Sequence, residues 1–78
     1  MIRRMIARRY KIVERKSDST STYFLELCYN INEGNFMIYY PPTRTFTGGF
    51  KSQAEAIVHL GLICAERNAT FEEVEIDE

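Results

Sequence analysis

Apolar and polar positions alternate most regularly from Tyr23 to Asn30. Tyr23, Leu25, Leu27 and Tyr29 share one face, and Phe24, Glu26, Cys28 and Asn30 share the other. A period of two marks a strand with its side chains split between the two sides of a sheet. The turn Asn32-Glu33-Gly34-Asn35 follows, where Gly34 supplies a positive φ. Asn35 to Tyr40 then returns, with Phe36, Ile38 and Tyr40 opposed to Met37 and Tyr39. Pro41-Pro42 ends that run, because proline offers no N–H to a ladder. Upstream, Arg9 to Lys16 sets Tyr10, Ile12 and Val13 among charges, which predicts an edge strand, with Ser17 to Ser21 as the polar turn after it. Thr45-Phe46-Thr47 predicts a short further pairing before Gly48-Gly49. Phe71 to Asp77, with Val74 and Ile76 between acids, predicts a last strand.

The period changes from two to 3.6 after Lys51. Ser52 and Glu55 form a Ser-x-x-Glu capping box, in which each side chain meets the other's free backbone N–H. Asn68 suits a left-handed stop, so a helix is predicted from about Ser52 to Arg67. At 100° per residue, Ala54, Ile57, Val58, Gly61, Cys64 and Ala65 make one face, which is assigned to the sheet with Gly61 at the closest approach. Leu60 and Ile63 fall on the other side. The predicted fold class is α+β: a small curved antiparallel sheet in the order β-β-β-α-β with one helix packed on one face.

Seventy-eight residues make a single domain spanning 1–78, with residues 1–8 read as a flexible basic N-terminal segment. No apolar run approaches the roughly 18 residues of a membrane span, and no continuous apolar stretch follows the first charges as a secretory signal requires. A cytoplasmic location is therefore expected. Cys28 and Cys64 lie in different elements without metal-ligand spacing, which suits two buried thiols in a reducing compartment.

The net charge of −1 conceals a strong asymmetry. Arg3, Arg4, Arg8, Arg9, Lys11, Arg15 and Lys16 crowd the first sixteen positions against Glu14 alone, a net +6. The remaining chain carries three bases and ten acids, a net −7, with Glu72, Glu73, Glu75, Asp77 and Glu78 at its end. Two readings follow. The basic first strand lies against the acidic last strand, within one chain or across a dimer, or the seven bases follow a nucleic-acid backbone.

Candidate chemistry is sparse. His59 is the one histidine; it sits within the helix near Glu55 with no nucleophile tied to it, and two groups fall short of a zinc ligand set. Gly48-Gly49-Phe50-Lys51-Ser52 lacks the Gly-Lys step of a phosphate loop. No catalytic residue, metal ligand or cofactor is expected, and the chain is read as a non-enzyme. The outward apolar residues point to association instead. A single helix covers a single face, so Phe24, Met37 and Tyr39 on one side, and Leu60 and Ile63 on the helix, are the expected partner-binding residues. The expected function is a protein-binding module, a small regulator or stoichiometric inhibitor, with a homodimer expected. The alternative is a nucleic-acid-binding regulator that uses the seven N-terminal bases.

Two stretches carry a family resemblance: Gly34-Asn35-Phe36-Met37-Ile38-Tyr39-Tyr40-Pro41-Pro42 and Gly49-Phe50-Lys51-Ser52-Gln53-Ala54-Glu55-Ala56. Over residues 23–57 the chain resembles the partial double-stranded-RNA-binding-type domain of HicB-like antitoxins. That family has a hairpin ending near proline, a short strand, then a Gly-x-Ser/Thr-x-x-Glu-Ala helix entry, from which this chain departs by one extra residue between Gly49 and Ser52. The resemblance implies the fold, and a small protein that binds and neutralises a nuclease. It carries over no functional residue.

Overall fold

In the computed structural model, which describes residues 4–76, the elements run β1 (Arg4–Arg15), β2 (Thr20–Asn30), β3 (Asn35–Tyr40), β4 (Thr45–Phe50), α1 (Gln53–Glu66) and β5 (Ala69–Val74). The five strands form one sheet in the order β4-β3-β2-β1-β5, and every neighbouring pair is antiparallel. The α+β class and the single helix agree with the sequence pattern. The pairing expected over 45–47 is a full strand that runs on through both glycines to Phe50. Arg3 and Asp77 lie outside the described residues. The segment read as flexible over 1–8 is strand from Arg4 onward.

Short local contacts turn the chain between strands. Lys16 N–H donates to the Ser19 carbonyl at 2.8 Å, and Gly34 N–H to the Asn30 carbonyl at 2.8 Å. The Asn30 side-chain oxygen also accepts from the Asn32 and Glu33 N–H groups, an Asx turn that fixes the β2–β3 bend. Ser52 caps α1 by accepting the Glu55 N–H at 3.1 Å, while the Glu55 carboxylate reaches the Lys51 N–H rather than that of Ser52. Asn68, at φ 53, ends the helix in the left-handed region as its sequence position suggests.

Two irregularities decide which side chains face the core. The β1–β2 register shifts between Ile6 and Arg8, and the β3–β4 register shifts between Phe36 and Met37. Ala7 is thus an extra residue in β1, and Gly49 in β4. Ile6 pairs with Cys28 away from the helix, whereas Arg8 and Tyr10 point toward it. Phe46 likewise lies on the open side and Phe50 beneath the helix, where its ring meets that of His59 in a tilted contact, centroids 5.0 Å apart. Gly48 makes the second bulge possible: at φ +131 a Cβ there would lie 2.5 Å from the Phe50 ring.

The core sits between α1 and one face of the sheet. It contains Tyr10, Ile12, Leu25, Leu27 and Ile38 from the strands and Ala56, Leu60 and Cys64 from the helix, edged by Phe36, Phe50, Ile57 and Phe71. The helix face assigned from sequence is corrected by this packing. The buried row is Ala56, Leu60 and Cys64, while Ala54, Val58 and Ala65 are exposed. Apolar residues lie nearly all round this helix, so its own periodicity is weak. The sheet takes the row holding Leu60, because burying a leucine stabilises by about 1.5–3 kcal/mol and the small Ala54 and Ala65 lose little by staying out. The close approach assigned to Gly61 is also corrected. A Cβ at Gly61 would meet nothing nearer than the Phe71 ring at 3.9 Å, an ordinary contact.

β1 is likewise not an edge. It lies between β2 and β5, and β4 and β5 form the sheet's borders. Tight packing at position 60 and an unstrained contact at position 61 give opposite mutational effects. Leu60→Ala should cost about 2–5 kcal/mol in urea unfolding through the cavity it leaves. Gly61→Ala should instead stabilise by about 1 kcal/mol through helix propensity. Destabilisation by Gly61→Ala would put the helix closer to β5 than described.

Candidate functional site: the open side of the sheet

The side of the sheet turned away from α1 carries Arg9, Lys11 and Val13 of β1, Phe24, Glu26 and Cys28 of β2, Met37 and Tyr39 of β3, and Phe46 of β4. A cleft of about 610 Å³ opens there, lined by Arg9, Thr22, Phe24, Glu26, Pro41, Pro42, Val74 and Glu75 among others. The Pro41-Pro42 turn forms one wall and the end of β5 the other. On its floor Arg9 donates to the Glu26 carboxylate at 3.0 Å, and Glu26 is 8% exposed. Phe24 is 46% exposed at the rim. Tyr39 lies against Phe46 with ring centroids 4.5 Å apart.

The residues expected to bind a partner divide between surface and interior. Phe24 is exposed and Tyr39 half-buried on the open side, while Met37, on that same side, is buried among its neighbours. Leu60 is 2% exposed in the core and offers no surface, for the packing reason given above. Ile63 is half-buried on the helix side, in a groove of about 260 Å³ with Tyr23, Tyr40, three threonines and Arg67. These five residues therefore do not form one surface.

The basic residues divide in the same way. Arg4 opens β1 opposite Asn30, and Arg3 lies outside the described residues. Arg8 points to the helix side, where it donates both to Glu73, at 2.7 and 2.9 Å, and to Gln53 at 2.9 Å. Lys11 stands opposite Glu72 and Arg9 opposite Val74. Arg15 is exposed, and Lys16 lies in the following turn. The basic first strand thus meets the acidic last strand within one chain.

Sequence reasoning missed a polar hub at the helix C-terminus. Glu14, buried, accepts from Arg67 Nε at 2.9 Å and from the Tyr23 hydroxyl at 3.1 Å. Arg15 and Asn68 bond each other's backbone beside it, so the helix end is fixed to β1. Glu14 was legible only as the single acid in a basic run. Burial raises the Tyr10 and Tyr23 hydroxyls, helped by Glu73 and by the Glu14 hydrogen bond respectively, and burial raises the Cys64 thiol. Among the described residues no three His, Cys, Asp or Glu side chains gather to hold a metal. No described helix is long and apolar enough to cross a membrane. No family model, curated protein or solved structure matches this chain.

Two measurements follow. Arg9→Met leaves the Glu26 carboxylate desolvated and unpaired, which should cost about 1–3 kcal/mol. Adding Glu26→Leu should recover most of that loss, since an apolar pair replaces an ionic one at little cost. A double variant as unstable as the single one would mean the pair does not govern the site. The raised phenols and thiol release protons less readily when folded than at their ordinary values of 10.0 and 9.0. Their contribution to stability is complete below those values and lost as pH climbs through the raised ones. Stability should therefore fall on the alkaline side, and denaturation midpoints that stay level there would contradict the burial of these groups.

Proposed function

We propose that this chain is a non-enzymatic protein-binding module, a small regulator that acts by occluding a partner's surface. The open side of the sheet carries the reading: an exposed Phe24 stands at the rim of a 610 Å³ cleft whose floor charges are already paired with each other. An aromatic beside a neutralised, partly desolvated floor suits an apolar anchor from another protein. The HicB-like resemblance over residues 23–57 supports a particular form of this reading, a stoichiometric inhibitor of a nuclease. Cys28 and Cys64, buried and not joined in a disulfide, support a cytoplasmic setting.

A nucleic-acid-binding regulator is the second reading. Arg9, Lys11 and Arg15 share a side with Phe24, Tyr39 and Phe46, which favours it, since sheets that bind nucleic acid combine bases with aromatic rings. Against it, Arg9 is paired with Glu26, and Lys11 faces Glu72.

Phe24→Glu separates partner binding from folding. Affinity capture from the native host's extract should retain a protein on the wild-type chain and lose it on the variant, with unfolding curves unchanged. Retention of the same protein by Phe24→Glu would remove the cleft from the function. Fluorescence polarisation against generic RNA and DNA should show no binding at about micromolar concentration. Tight binding with a steep salt slope would make the second reading the correct one.

A further inference from the structure

The crossover helix is apolar on the side turned away from the sheet as well. Val58 is 65% exposed and Leu62 60%, with Ala54 and Ala65 exposed beside them. Ala54, Val58 and Leu62 follow one another at one-turn intervals and form a continuous row. Single exposed aliphatic residues need no explanation, but this row ends in opposite charges. At the N-terminal end stands Lys51, exposed and just ahead of the N-cap Ser52, its backbone N–H donating to the Glu55 carboxylate at 3.1 Å. At the C-terminal end stands Glu66, the last residue of α1. Among the described residues neither side chain has an ion-pair partner.

We infer that a second copy of this chain packs on this row, its helix antiparallel to the first about a two-fold axis at Val58. Such an axis sets Val58 against Val58 of the second copy and Leu62 over its short Ala54. Large meets small on either side of the axis, so the helices can approach closely. The same register brings Lys51 of each copy to Glu66 of the other, twice by symmetry. A parallel arrangement would stack lysine on lysine and glutamate on glutamate, which opposes it. A foreign helix or a lipid surface could cover the apolar row but gives no reason for its matched ends. The contact is one helix wide, below the roughly 800 Å² per partner of a standard interface, so the dimer forms and dissociates with concentration. It lies across the sheet from the Phe24 cleft and does not depend on the function proposed for that cleft.

Sedimentation equilibrium of the full chain, from about 5 to about 500 μM, tests the pairing. The expected result is a reversible monomer–dimer equilibrium. Leu62→Glu, at an exposed position, should be monomeric throughout with an unchanged unfolding curve at the lowest concentration. Lys51→Glu and Glu66→Lys should each weaken the dimer by about tenfold, and the two combined in one chain should restore it. Phe24→Glu should leave the equilibrium unaltered. A wild-type chain that stays monomeric, a dimer indifferent to Leu62→Glu, or a double reversal that fails to restore association would each overturn the inference.

Discussion

Ile12 stands opposite Phe71 and Lys11 opposite Glu72 because the last strand returns antiparallel to the first. That pairing constrains the rest of the molecule. β4 and β5 are the two borders of the sheet, so the chain between them must cross from one border to the other. The crossing segment is α1, and it crosses on one side only. Its burial of Ala56, Leu60 and Cys64 on Leu25, Leu27 and Ile38 is the core, and its end is held to β1 through Arg67, Glu14 and Asn68.

The same pairing redistributes the charge of the chain. The basic first strand meets acids locally, at Glu73, Glu26 and Glu72, rather than presenting one positive face. What remains on the open side is aromatic and apolar surface around a neutralised cleft. On the opposite side of the molecule the helix presents its second apolar row. A small domain with one helix has too few apolar positions for two full layers, yet this chain places apolar residues on both sides of that helix. The excess beyond the core is the physical basis for expecting contacts with other molecules.

Much of the architecture was legible in the chain. Strict alternation over Tyr23 to Asn30 and over Asn35 to Tyr40 places the hairpin, and Ser52 with Asn68 brackets the helix. The bulges at Ala7 and Gly49 were not legible, because each reverses a two-residue alternation without any change in residue type. They decide that Ile6 and Arg8 serve opposite sides, as do Phe46 and Phe50. The helix face was misjudged because a nearly uniform apolar surface gives periodicity little to measure, so the shape of the sheet selects the buried row. Of the expected partner residues, Phe24 and Tyr39 could be found from alternation alone. Pro41, Pro42 and Val74 line the same cleft through chain turns and a strand pairing that link distant parts of the sequence.

The β1–β5 pairing is open to direct measurement in solution. Nuclear Overhauser contacts between Ile12 and Phe71 and between Lys11 and Glu72, together with slow amide exchange along the centre of β1, are the predicted result. Absence of these contacts, with β1 amides exchanging as fast as those of an open border strand, would contradict the account. The basic strand would then be free of its acidic partner.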